Sequence, residues 1–430
     1  MPAKKPAIAH DVTQDLPEPR DLRPASVSRR YGVAAVCFIA LVIAYCDRVN
    51  VAVAAPRIML QRHWDTGQMS WVLSGFFLGY ALFLIPSGLL VQRVGAYRVL
   101  CCSIAGWSLF TALTPVPQSL PGMYSTRLAL GVFESAIFPC INSLLATWFP
   151  RHEYAKAAGF CWSGGYAGPI LAFPIAGMIL ALLGWRSIFY LFGAAGFVWM
   201  LICWRVLSFS SSSLPQVERQ TSVSTVGVGI RLLQRREVWA VFLLHFSSNW
   251  FIYLLLTWLP TYLVNVRHFS GGLSAVGSAL PFLTALLGAN GFAFAIAWWS
   301  RRQNGTLVRK RMLPAFVGGA LVLAGLPYIQ SPAGIVAALA ASTALITAAT
   351  PIYAAGSLEL APSSAGLLAG MQQAFANLAG VAAPLATGYL ARRSWNLVFL
   401  ATCVVCVSGA AAYAALGSAE MVGPVKKAYQ

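Results

Sequence analysis

Apolar runs of about twenty residues recur along the whole chain, separated by short polar or Pro/Gly-rich breaks. A run of that length crosses a hydrocarbon core of ~30 Å as an α-helix. Twelve can be counted, centred near Cys37, Gly79, Trp107, Phe133, Pro169, Met200, Phe251, Ala285, Leu321, Ala341, Asn377 and Val404. The pattern predicts an all-α membrane protein of twelve transmembrane helices. A stretch rich in Ser, Thr and Gln, SFSSSSLPQVERQTSVSTVG, has linker composition and divides the spans into two sets of six. The expected organisation is a disordered tail over 1–28, a six-helix bundle over 29–207, a linker over 208–236, a second bundle over 237–417 and a tail over 418–430.

A weak repeat makes the bundles pseudo-symmetric. Pro150 to Gly168 and Pro362 to Gly380 each run from a helix-terminal proline, through a glycine, to a second glycine with a proline soon after, at an offset of 212 residues. Parallel six-span halves around a mid-depth site are one repeat design of secondary transporters.

Composition closes off other classes. Hydrophobic residues make up 58% and charged residues 10%, with a mean hydropathy of +0.69, leaving no stretch for a soluble domain. The net charge of +18 would suit a nucleic-acid binder if it were clustered. It is instead spread over loops. Of the 30 Lys and Arg, only Arg57, Arg62, Arg186, Arg267, Arg392 and Arg393 fall in loops on the side away from the termini. The bias toward the other side predicts cytoplasmic termini, with Arg392 and Arg393 running against it in the last hairpin. The first apolar stretch, Val33 to Ala55, is too long for a cleaved signal. A multi-pass protein of a bacterial inner membrane, acting as a monomer, is expected. The nine cysteines lie in apolar segments and read as small buried hydrophobes, and the Cys403–Cys406 CxxC has no second pair or histidine near it.

Twelve acids are present, and only Asp47 and Glu134 fall deep within spans; the only deep basic residues are Arg48 and Arg127. A charge at mid-bilayer costs roughly 2.5–3.5 kcal/mol on the mildest scale, and such residues commonly mark an ion or substrate path. Arg127 and Glu134 stand seven residues apart, so both project from one helix face about 10 Å apart along the axis. A carboxylate held by an arginine can exchange a proton when its partner moves or a substrate competes for the arginine. Arg48 and Arg127 can also bind an organic carboxylate bidentately. Static ion pairs that orient helices are the structural alternative. His245, the only histidine within a span, could relay protons, donate to a substrate or simply pack. Tyr80, Gln373 and Asn377 could bond substrate hydroxyls or hold helices together. The other aromatics read mostly as lipid-facing or interfacial. No Walker-type P-loop, HExxH or GxSxG in a strand–turn–helix setting is present, so no enzyme activity, cofactor or metal site is expected.

The segments YCDRVN (Tyr45–Asn50), RLALGVFESAIFP (Arg127–Pro139), ATWFPRHEYAKAAGF (Ala146–Phe160), LTWLPTYL (Leu256–Leu263) and FANLAGVAAPLATGYL (Phe375–Leu390) lie in both halves. Together they resemble the anion:cation symporter family of the major facilitator superfamily, which includes hexonate and hexuronate transporters and sialin-type carriers. The resemblance implies alternating access with protons as the driving ion. It implies protonation at Asp47 and Glu134, a substrate-side arginine at Arg48, and an arginine at Arg127 that pairs with the span-4 acid. Tyr45, Tyr80 and Asn377 match sugar-acid contacts of the hexonate branch. The sequence departs at Gln92, where the superfamily loop carries an aspartate, and at Leu84, Gly165 and His245, which stand where that branch has glutamines. These departures leave room for a less hydroxylated or more aromatic carboxylate. The expected function is proton-coupled symport of a small organic anion. Proton-coupled efflux of a drug or metabolite is the alternative. A non-transporting sensor is disfavoured, because the chain has no signalling domain and keeps its deep charges.

Overall fold

The computed structural model describes residues 27–211 and 225–418. The expected tails therefore lie almost wholly outside the described residues, as does the centre of the linker. Twelve helices are long and apolar enough to cross a membrane. Spans 1 to 6 are Arg29–Arg62, Thr66–Val94, Ala96–Leu113, Leu120–Trp148, His152–Leu183 and Trp185–Leu207. Spans 7 to 12 are Arg236–Asn265, Gly271–Ser300, Gly305–Tyr328, Pro332–Leu360, Ala365–Ala391 and Trp395–Leu416. No strand occurs among the described residues. Part of the expected linker is described. Thr225–Leu233 is a short helix, its Gly229 lying against Met371 of span 11 and its end tied by Trp239 Nε1 donating to the Leu233 carbonyl at 2.7 Å.

Two spans are broken at mid-depth for the same reason. Span 4 is a helix to Glu134, a turn, and a second helix from Ile137. Pro139 has no N–H to give the Ser135 carbonyl, so the ladder cannot run through. Span 10 is a helix to Ile346, a 3₁₀ turn at Thr347–Ala349, and a second helix from Thr350. Pro351 withholds its bond from Thr347 in the same way. The two prolines stand at the 212-residue offset of the repeat.

Spans 2 and 11, 5 and 8, and 1 and 7 form the seam between the halves. The seam is tight at the end away from the chain termini. There Thr66 Oγ1 donates to the Gly388 carbonyl at 2.7 Å, Trp71 Nε1 lies 3.3 Å from the Tyr389 hydroxyl, and Arg392 meets Asp65 at 2.9 Å. The Phe173 and Phe282 rings close the span 5–8 side. Span 2 records the asymmetry along its length. Val72 to Tyr80 are nearly all buried, whereas most positions from Leu82 to Val94 are exposed. The bonded contacts between the halves thus gather at the end away from the termini.

Asp65 also caps span 2, accepting from the Gln68 N–H at 2.7 Å. Slight burial works against its charge, but the bonds from Arg392 and Gln68 prevail and hold its carboxyl below the usual range. The Arg392 link is therefore intact above pH ~4 and is lost only as pH falls through the depressed value. A Cβ on Gly388 would stand 2.5 Å from the Thr66 carbonyl oxygen, so only glycine permits this approach. Gly388→Leu should push spans 2 and 11 apart at this end. Spin labels at the exposed Gln68 and Arg393 should then read a longer distance than in the parent, whose own distance should stay constant from pH 8 to 5.

Candidate functional site

The four deep charges converge where spans 1, 2 and 4 meet. Spans 2 and 4 touch backbone to backbone: a Cβ on Gly131 would lie 2.0 Å from the Phe76 carbonyl oxygen, and one on Gly79 would lie 2.1 Å from that of Leu128. This contact seats Arg127 and Glu134 against span 1 with no room for solvent. Asp47 and Glu134 are 0% exposed, Arg127 1% and Arg48 3%.

The pairing differs from the one that the family resemblance implies. Glu134 is held by Arg48, whose Nε and Nη2 lie 2.7 and 2.6 Å from Oε1. Arg127 does not pair with it. Seven residues along one helix separate the two side chains by about 10 Å of axial rise, whereas Arg48 approaches from the neighbouring span. Arg127 Nη1 instead faces the Asp47 carbonyl at 3.4 Å and Asn50 Oδ1 at 3.5 Å. Asn50 Nδ2 in turn reaches Asp47 Oδ1 at 3.4 Å. Asp47 forms no ion pair among the described residues, and its Oδ2 has no hydrogen-bond partner there. Asn50 is thus the bridge between the second acid and the second arginine.

Aromatic rings complete the cation site. The Arg48 guanidinium carbon lies 4.3 Å from the Tyr45 ring centre, 4.9 Å from Tyr80 and 5.0 Å from Phe76. Phe76 is also 5.4 Å from the Arg127 guanidinium, so one ring serves both cations. Tyr45 is half-buried and lies over Gly165, where a Cβ would meet the ring at 3.3 Å.

The second half supplies neutral groups. His245 stacks on Tyr353 with ring centres 3.9 Å apart and planes at 9°. Gln372 Nε2 lies 3.0 Å from His245 Nδ1 and donates to the Tyr353 carbonyl at 3.0 Å. Asn377 is engaged at both ends, accepting from the Tyr253 hydroxyl at 2.7 Å and donating to the Gln373 carbonyl at 2.8 Å. Gln373 is half-buried, and its side chain has no partner among the described residues. Tyr253 packs on Phe77 across the seam at 4.5 Å. Tyr166 and Tyr353 also line the mid-depth region, contrary to the expectation that tyrosines outside the chosen set face lipid. Gln372, which was not among the expected site residues, is the glutamine that reaches His245, while Gln373 meets Asn377 only through its backbone carbonyl.

Two six-helix halves with broken helices and charges at mid-depth define a membrane transport protein rather than an enzyme. Residues 37–381 match the model of the Major Facilitator Superfamily. The chain belongs to that superfamily, and its relatives fall in the anion-transporter branch. It is 31% identical to the chloroplastic ascorbate transporter of Arabidopsis thaliana over 388 residues, covering 86% of this chain and 72% of that protein. It is 28% identical to the D-galactonate transporter of Escherichia coli O6:H1 over 426 residues, covering 93% and 97%. A bacterial homologue of the human lysosomal transporter Spinster, solved inward-facing and unoccupied, shares the fold with a TM-score of 0.76 at 17% identity, over 91% of this chain and 98% of that one.

The buried pair carries a stability prediction. Glu134→Leu strands the Arg48 guanidinium and should cost about 3–5 kcal/mol, whereas Glu134→Gln keeps an acceptor and should cost less. Adding Arg48→Met to Glu134→Leu should recover most of the loss. Thermal unfolding in detergent measures all three.

Proposed function

We propose that the protein carries a small organic anion across the membrane with protons, by alternating access. The observation that supports this most is the sharing of Arg48. Its guanidinium is the cation of the mid-depth region set among tyrosine rings, and it is occupied by Glu134. A substrate carboxylate arriving at Arg48 competes with Glu134 for the same donors. Displaced, Glu134 becomes a buried charge without its partner, and taking up a proton removes that cost. Substrate binding and proton uptake are then one event. Asp47, bridged to Arg127 through Asn50, is the second proton-carrying group. Tyr45, Tyr80, His245, Gln373 and Asn377 belong to the substrate side, Asn377 by holding Tyr253.

The names of the relatives support an anion as cargo, and hydroxylated ones such as ascorbate and D-galactonate are the first to test. The Lys and Arg bias supports cytoplasmic termini in a bacterial plasma membrane. A single copy of the chain, 1–28 and 418–430 being its tails and 208–236 the joint between its bundles, suffices for this cycle.

In proteoliposomes, Glu134→Gln should abolish accumulation driven by a pH gradient while keeping some substrate exchange. Full gradient-driven uptake by that variant would remove Glu134 from the coupling. Arg48→Ala should lose substrate binding, read as loss of the ligand-induced thermal shift. Extrusion rather than uptake in oriented vesicles would turn the assignment to antiport.

A further inference from the structure

The hydrogen bonds around Gln372 fix the form of His245. A backbone carbonyl only accepts, so the Gln372 atom 3.0 Å from the Tyr353 oxygen is the amide nitrogen. That nitrogen carries two hydrogens. One goes to the carbonyl, and the other points at His245 Nδ1, also 3.0 Å away. Nδ1 must therefore offer a lone pair. The ring proton then sits on Nε2, and an imidazolium would set an N–H against an N–H. Tyr353 reinforces the arrangement, because its ring lies flat on the imidazole and its carbonyl orients the amide. No acid or arginine faces the ring among the described residues; its neighbours are the Gln372 amide and the Tyr353 phenol. His245 is 6% exposed, and its Nε2 has no hydrogen-bond partner among the described residues.

We infer that Gln372 locks His245 as a neutral donor whose Nε2–H binds an acceptor oxygen of the substrate beyond its carboxylate, and that His245 takes no part in proton coupling. Gln372 is its positioning residue. The inference rests on the organic-anion function proposed above. It adds to it a preference for a monoanion bearing a hydroxyl or carbonyl oxygen. Arg48 is the cation that meets the carboxylate, and the far wall offers neutral hydrogen-bonding groups in place of a second charge.

The lock is tested without any ligand. With ¹⁵N-labelled histidine, the His245 signals, assigned by their loss in His245→Gln, should report the neutral Nε2–H tautomer from pH 8 to 5.5. A charged ring at pH 6, or the Nδ1–H tautomer, overturns the inference. Gln372→Met removes the donor that holds Nδ1 as an acceptor, so the Nδ1–H tautomer should become populated. The donor role is tested by binding of D-galactonate and hexanoate, two six-carbon monocarboxylates that differ in hydroxyls. His245→Phe should weaken D-galactonate about tenfold and leave hexanoate unchanged, while His245→Gln, which keeps an N–H donor, should stay near the parent. Equal loss for both acids in His245→Phe, or a shifted pH profile of uptake in His245→Gln, overturns it. If the parent binds neither acid while Arg48→Ala behaves like the parent, the organic-anion function fails instead, and the tautomer measurement still decides the lock.

Discussion

A charge in hydrocarbon must have a partner, and most of what is particular to this carrier follows from how that requirement is met. Arg48 and Glu134 pair across two spans, both buried, with the two arginine nitrogens on one carboxylate oxygen. The match fixes the rotation of span 1 against span 4, and the glycine contact between spans 2 and 4 lets the arginine and the acid come within bonding distance. Aromatic faces on the remaining sides of Arg48 substitute for hydration. Such a pair contributes little net stability, since the cost of desolvating both ions consumes most of their attraction. What it does fix is where a guanidinium sits at the heart of the first half, held by one acid and three aromatic rings.

The two halves divide the work unequally. Glu134 ends the first helix of span 4, and Ile346 ends the first helix of span 10 at the repeat offset. Arg127 has Leu339 as its counterpart. Both counterparts are fully buried and apolar. The backbone break is thus shared, whereas the charge is confined to one copy. The second half answers with an amide, an imidazole and phenols, groups that discriminate by hydrogen-bond direction rather than by charge.

Most of the fold was legible because a membrane span is read from length and hydropathy alone, and the four deep charges were legible because so few charges compete for attention. What the linear pattern could not supply was partnership. Helical periodicity placed Arg127 and Glu134 on one face but could not say that Arg48, on another span, would reach Glu134 first. Nor could it say which of the adjacent Gln372 and Gln373 would face the histidine of span 7. Tyr253, Tyr353 and Tyr166 looked like interfacial residues, because a tyrosine at mid-depth and one at the lipid boundary have the same local sequence. The helix at Thr225–Leu233 was hidden by the polar stretch in front of it.

The proline breaks in spans 4 and 10 bear on how the carrier avoids leaking. A wall made of unbroken rods can only tilt, so that narrowing one mouth widens the other in the same motion. A wall jointed at mid-depth can fold its near half inward while its far half stays docked. Both mouths are then shut at once, with the cargo enclosed between them. Occlusion of this kind keeps an ion gradient from discharging through an empty or half-loaded carrier. Here the joint follows directly after Glu134, so the break in the backbone and the buried ion pair with Arg48 are adjacent in the chain.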